Sequence, residues 1–329
     1  MARVVELMAN DDCAAAEPLL RRLLDEQQGD PAGLHHYLGV CRQAQGDFAG
    51  AEEQYRAALR VNPALFESLN NLGVVLGELG RHDESVAVLA MVTQAYPSEA
   101  SAFYNLGFEQ AQTGDLEAAA ASFRKAADLD TCGTDALLQA SVVLAALGRT
   151  DEQLAVLDEA AGRAPGDGIV AVTRARALRA AGRLDDAAAA LGEAAASPAN
   201  DARVLAALAF EYRDLGRNDE ALAAARTAIE RAAQDDEGFR IATLAFAVLA
   251  HRAGLRDEAE AALRAGAERL PNQPDIALFL GGLLVERRLC DEAVPLLKRA
   301  LDAYAAADPQ GAEAAEARRG LEACATSVP

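Results

Sequence analysis

Glycine recurs at a fixed interval of 34 residues, at Gly46, Gly80, Gly114, Gly148, Gly182 and Gly216. So constant an interval marks one supersecondary unit stacked many times, because stacked units tolerate changes of surface more readily than changes of length. A chain organised this way grows by nearest-neighbour contacts rather than around one central core. Its working surface is therefore expected to be a repeated one.

The unit is clearest from Phe66 onward, where FESLNNLGVVLGELG is followed by RHDESVAVLAMVTQAYP. We number each unit so that its glycine is position 15. Positions 4, 7, 8 and 11 then hold Leu69, Leu72, Gly73 and Leu76, a three-and-four spacing that predicts one packed helix face. The glycine suits a left-handed residue just past the helix end. Acidic residues follow it, such as Asp83 and Glu84 or Asp219 and Glu220, in the first turn of a second helix whose positive end they complement. That helix carries small residues at positions 20 and 27 (Ala51 and Ala58, Ala119 and Ala126) and a larger one at 24 (Tyr55, Leu89, Phe123, Leu157). Proline at position 32 (Pro63, Pro97, Pro165, Pro271) ends the unit, since it biases the preceding residue away from helix.

Leu-Gly at 7 and 8, Ala at 20, an aromatic at 24, Ala at 27 and Pro at 32 resemble the tetratricopeptide repeat. The resemblance implies an all-α fold, a right-handed superhelical α-solenoid of helix–turn–helix units. It covers nearly the whole chain. Eight units are expected over residues 32–309, beginning at Ala32, Phe66, Ala100, Thr134, Gly168, Ala202, Arg240 and Pro274. An atypical unit over 1–31 precedes them, and a capping helix and tail over 310–329 follow.

Several places depart from the pattern. The step from Gly216 to Gly254 is four residues too long, with the surplus assigned to Gln234–Gly238. Arg288 stands where the last unit should have its glycine, and Pro18 and Pro295 fall inside second helices, so distortion is expected at both ends. The unit at Gly168 has Arg174 and Ala175 at positions 7 and 8 and is expected to have the poorest core.

Composition agrees with a helical array: 51% hydrophobic residues, only 5% aromatic, and no Trp. No apolar run of about 18 residues exists to span a membrane. The segment Met1–Asn10 lacks the long apolar stretch of a secretory leader. Five scattered cysteines, an odd number, predict no disulfide framework and a reducing compartment, so the cytoplasm is expected. A net charge of −20 disfavours nucleic acid, whose binding depends on basic surface, and anionic membranes. Catalytic and cofactor motifs are missing. His35 and His36 are adjacent and point about 100° apart on a helix, no Cys pair has zinc spacing, and carboxylate pairs recur at every helix start. The expectation is no enzyme, no metal and no cofactor.

In the family that the chain resembles, the first helix of each unit lines a concave groove, with positions 2, 5, 9 and 12 pointing inward. Carried over, Asn70 and Asn71, Tyr104 and Asn105, Phe108, and Gln139 form an amide and aromatic subsite for an extended peptide. Arg176, Arg179, Arg203 and Arg213, with Phe210 at position 9, form a basic subsite able to fork-bind carboxylates. The competing reading is that these arginines neutralise acids on neighbouring helices, each pair being worth about 0–1 kcal/mol. Farther on, Ile241, Leu244, Val248, Leu278 and Val285 make the inward positions apolar, as at a partner site. The residues by which some family members clamp chaperone carboxylates are absent.

Taken together, the sequence points to a non-catalytic scaffold that holds an extended peptide or a helix of another protein, including one with an acidic segment. Two alternatives remain open: a structural subunit of a larger assembly or homo-oligomer, and an accessory regulator of a separate enzyme. The oligomeric state is not legible.

Overall fold

The structure, a computed structural model, describes residues 2–10 and 12–326. All regular structure among them is helical, in nineteen helices. The chain divides into two compact units, unit 1 from Met1 to Arg163 and unit 2 from Ala164 to Pro329. In unit 1, α1 (Ala2–Ala9) and α2 (Cys13–Asp25) precede four helix pairs. These are α3 (Pro31–Ala44) with α4 (Phe48–Val61), α5 (Phe66–Glu78) with α6 (His82–Ala95), α7 (Ala100–Gln112) with α8 (Leu116–Leu129), and α9 (Asp135–Ala146) with α10 (Thr150–Arg163). Unit 2 holds α11 (Gly168–Ala180) with α12 (Leu184–Ala196), α13 (Ala202–Asp214) with α14 (Asn218–Arg231), α15 (Asp236–Arg252) with α16 (Arg256–Arg269), and α17 (Pro274–Glu286) with α18 (Cys290–Ala307). A last helix, α19 (Ala312–Thr326), closes it.

Every periodic glycine does the work its spacing implies. Gly80 has φ +74°, and the next residue, Arg81, donates its N–H back to the carbonyl of Leu76 at 2.9 Å. Helix α6 starts two residues after the glycine. Only a residue free of Cβ strain enters that conformation at little cost. In the last pair Arg288 adopts it with φ +61°, so the turn survives without its glycine.

Glycine at position 8 has a different duty. A Cβ on Gly73 would stand 2.5 Å from Leu89 Cγ, and one on Gly39 would stand 2.5 Å from the ring of Tyr55. The large residue at position 24 of the second helix is thus seated directly on the backbone of the first. Tyr55 and Leu89 are fully buried there, and Phe123 of the next pair is 1% exposed. The Tyr55 hydroxyl, pushed up to about 12 by burial, donates to Gln43 at 2.8 Å and accepts from the Asn71 amide at 3.3 Å. The polar end of a buried ring is thereby satisfied.

Successive pairs are stapled by arginines at position 30. Arg163 donates to the carbonyls of Asp130, Gly133 and Ala127 at 2.6, 2.9 and 2.9 Å. Arg231 does the same to Ser197 and Asn200 at 2.6 and 2.7 Å. Arg269 reaches the carbonyl of Ala232 at 3.3 Å while its guanidinium lies 4.1 Å over the ring of Phe239. Helix ends leave carbonyls without partners, and a cation suits that negative pole.

The irregular stretches resolve as follows. The four surplus residues extend a helix: α15 has 17 residues where α13 has 13. Pro18 and Pro295 each occupy the sixth residue of α2 and α18. A missing N–H removes one intrahelical bond, yet both helices run on unbroken. In the unit at Gly168, Val170 and Leu178 are each 1% exposed, and Ala175 is buried with them. The cysteines correct the sequence expectation. Cys290 and Cys324 form a disulfide with Cα atoms 5.4 Å apart, while Cys13, Cys41 and Cys132 are free. Helices α18 and α19 form a hairpin, so the first turn of one lies beside the last turn of the other, a proximity that cysteine spacing does not express.

Candidate functional site

Each first helix of unit 1 turns one side to its second helix and leaves the other side uncovered. On α7 the uncovered stripe runs through Ser101, Tyr104, Phe108 and Gln112, and on α9 through Asp135, Leu138, Val142 and Ala145. The spacing is that of one helix face. On α5 it runs through Glu67, Asn71, Val74 and Glu78, and on α3 it narrows to His36 and Val40, both half-buried, with Val40 packed against the core around Tyr55. Position 9 therefore reads Val40, Val74, Phe108, Val142 on four consecutive first helices. Phe108 is 44% and Val142 59% exposed, at the same register of neighbouring first helices.

The amides behave in two ways. Asn70 is 9% exposed, and its carbonyl oxygen accepts from the Asn105 amide at 3.0 Å, which ties α5 to α7. Asn71 spends a donor on Tyr55, as described. Gln139 is half-buried on α9. Tyr104 is half-buried and packs edge-on against Phe123 at 5.5 Å between ring centroids. A further tie joins α3 to α5 through His36 Nδ1 and Ser68 Oγ at 3.1 Å, where burial holds the His36 imidazole below its ordinary range.

In unit 2 the arginines find acids. Arg176 Nε donates to Glu211 Oε1 at 2.6 Å; the carboxylate is buried and the arginine side chain is 61% exposed. Arg203 lies 3.8 Å from both Asp201 and Asp235. Arg213 pairs with Asp214 at 2.5 Å, and its guanidinium sits 5.0 Å over the Phe210 ring. Arg179 is exposed on α11. Among the apolar residues, Ile241, Leu244, Val248 and Val285 are half-buried, whereas Leu278 is buried. Val248, Leu278, Phe279 and Leu283 line a hollow of about 350 Å³ together with His251 of α15 and Glu316 of α19.

Sequence reasoning missed the paired carboxylates. Glu109 and Glu211 both occupy position 10, both are 5% exposed, and each meets a side-chain nitrogen: His82 Nδ1 lies 2.9 Å from Glu109 and Arg176 reaches Glu211. The shared position was the available signal. Among the described residues, no cluster of three His, Cys, Asp or Glu side chains is placed to hold a metal ion, and no helix is long and apolar enough to cross a membrane.

Models described as tetratricopeptide repeat match residues 38–100, 72–131 and 104–168 in overlapping copies, and residues 202–235 once more. Together these cover half of the chain. The chain belongs to the tetratricopeptide repeat family. Among solved structures, this tetratricopeptide repeat protein is similar in fold to Pseudomonas aeruginosa pilF, with a TM-score of 0.52 and 22% identity over 65% of this chain and 94% of that one. It is also similar to the C-terminal part of a repeat-containing protein of Cytophaga hutchinsonii, with a TM-score of 0.53 and 13% identity over 75% and 94% of the two chains. Among curated proteins, FlbA of Caulobacter vibrioides is 28% identical over 201 residues, 50% of this chain and 33% of FlbA. The match thus spans about a third of that relative's length.

Proposed function

We propose that this tetratricopeptide repeat protein is a non-catalytic interaction scaffold whose first-helix face holds an extended peptide or a helix of another protein. Residues 32–309 are its working array of eight units, with 1–31 and 310–329 as end pieces. Membership of the family supports a protein-interaction role in general. The observation that carries the reading is the uncovered apolar row of α7 and α9, with Phe108 and Val142 exposed at the same register. Isolated exposed apolar residues are ordinary, but a row repeated on adjacent helices makes a patch, and patches mark partner sites. Tyr104, Asn71, Asn105 and Gln139 border the row and orient the occupant. Arg179, with the outer faces of Arg176, Arg203 and Arg213, is the basic subsite for an acidic segment, and Ile241, Leu244, Val248 and Val285 are the apolar one.

Site-specific photo-crosslinking tests the reading. A benzoylphenylalanine placed at Phe108 or Val142 is expected to trap a protein partner in its native host, and the same group at Met91, 61% exposed on the second helix α6, is expected to trap none. Adducts from position 91 alone would place the working surface on the second helices and sink the proposal.

A further inference from the structure

Unit 1 is far more acidic than unit 2: eleven Lys and Arg stand against 25 Asp and Glu before residue 164, and twenty against 26 after it. The imbalance is sharpest on the first helices. Across α3, α5, α7 and α9 the only Lys or Arg is Arg42, and Glu17 and Asp47 hold it at 2.8 and 2.6 Å. Of the carboxylates on these helices, Glu109 is buried against His82. The other three, Glu67, Glu78 and Asp135, are exposed, and none has an ion-pair partner among the described residues, although Glu67 acts electrostatically on His36. They lie on the same uncovered stripes as the apolar row. On α5 the order along the face is Glu67, Asn71, Val74, Glu78. At 1.5 Å per residue, Glu67 stands about 10 Å to one side of Val74 and Glu78 about 6 Å to the other. Asp135 repeats the first edge on α9, seven residues before Val142.

We infer that unit 1 takes a basic amphipathic helix of another protein, laid across α3, α5, α7 and α9 with its apolar side on Val40, Val74, Phe108 and Val142 and its lysines or arginines on Glu67, Glu78 and Asp135. The inference rests on the scaffold reading and names the partner's chemistry. Side-chain direction decides between a helix and a strand. The two carboxylate edges on α5 are about 16 Å apart, and a helix about 10–12 Å across can set an apolar face on the row while long basic side chains leave it toward both edges. A single extended strand sends its side chains to two opposite faces only, so with one face on the row it directs none at the edges. Length agrees too, because four first helices packed at about 8–10 Å spacing offer a row roughly 25–30 Å long, the length of a helix of about 18 residues. Charge complementarity steers such a partner and excludes acidic ones.

The test uses the full chain and three fluorescein-labelled amphipathic peptides of roughly 18 residues with the same leucine face and Lys, Glu or Ser flanks, read by fluorescence anisotropy. The Lys peptide is expected to bind about tenfold or more tighter than the Glu peptide at low ionic strength, and less so as salt rises. Glu67→Gln with Glu78→Gln and Asp135→Asn is expected to weaken the Lys peptide about tenfold and to leave helicity by circular dichroism unchanged. Glu53→Gln with Asp83→Asn and Asp151→Asn removes as many exposed charges from second helices and is expected to change affinity less than about twofold. Phe108→Ser with Val142→Ser weakens all three peptides. Equal binding of the Lys and Glu peptides overturns the inference. So does a second-helix variant that weakens the Lys peptide as much as the first-helix variant, since attraction is then general to the unit's charge. Crosslinking from positions 108 and 142 without charge discrimination among the peptides leaves the scaffold standing and removes the basic helix alone.

Discussion

At the ninth position of successive first helices, unit 1 carries Val40, Val74, Phe108 and Val142, whereas unit 2 carries Arg176, Phe210, Val248 and Gly282. The buried positions of the second helices paired with them hardly differ. Phe123 and Leu191 both occupy position 24, and both are essentially inaccessible. Position 24 is pinned because a neighbouring helix sits within contact distance, and interiors at crystal-like density tolerate little change. Position 9 is half-buried or exposed in every copy and is freer to take the chemistry of an occupant. In unit 2 that freedom is partly used up inside the protein, since Arg176 and Arg203 lie against Glu211, Asp201 and Asp235, and Arg240 is bonded to Asp275. Along the unit 1 row the ties of the described residues are hydrogen bonds of other side chains, His36 to Ser68 and Asn71 to Tyr55.

The largest expected effects test whether the two interiors are as alike as they look. Phe123→Ala should cost about 3–5 kcal/mol and Leu191→Ala about 2–5 kcal/mol in urea unfolding. A loss under about 1 kcal/mol at either site would show that the unit concerned is loosely packed and would break the likeness. Next comes a difference confined to unit 2. Cys290→Ser with Cys324→Ser opens a bond across a sequence separation of 34 residues, for which chain entropy predicts about 3–4 kcal/mol. The loss should appear as faster hydrogen exchange in α19, which buries only Ala314, Ala317 and Cys324, with unit 1 unchanged.

Acid should separate the units more gently. In unit 1, Arg21 lowers the pKa of Glu17, the backbone N–H of Gly50 followed by Arg42 lowers that of Asp47, the N–H groups of Gly133 and Cys132 lower that of Asp130, and Arg124 lowers that of Glu159. In unit 2 the comparable groups are Glu220 and Glu237. Each folded-state value lies below its unfolded one, so the stability these groups contribute is full above the ordinary carboxylate range and drains away below about pH 4. Pepsin cleavage at falling pH should therefore begin in unit 1, and first cuts in unit 2 would contradict this. The smallest effect is a gain. Arg288→Gly relieves a left-handed arginine and should stabilise unit 2 by about 1 kcal/mol, whereas Gly80→Arg in unit 1 should cost a similar amount.

Much of this protein was legible in the sequence, and the reason is the repetition itself. The glycine interval marked where each turn falls, and the positive φ of Gly80 and its counterparts follows from the same residues. The surplus before Gly254 was also visible, though not that it would extend a helix. The polar ties were not legible. Asn70 and Asn71 are the same residue type side by side, yet it is Asn70 that is buried and bonded to Asn105, because which side chains meet across two helices depends on their rotation and offset. The same is true of Glu211 beside Arg176, and of Cys290 beside Cys324.

By itself the sequence determined the element types, the turn positions and the packed face of every helix, because these follow from interactions within about 34 residues and recur with each copy. Tertiary structure alone decided which exposed charges are already paired and which stand free. A guanidinium and a carboxylate some 35 residues apart, as in Arg176 and Glu211, are brought together only by the stacking of one helix pair on the next, and helical periodicity carries no record of that offset.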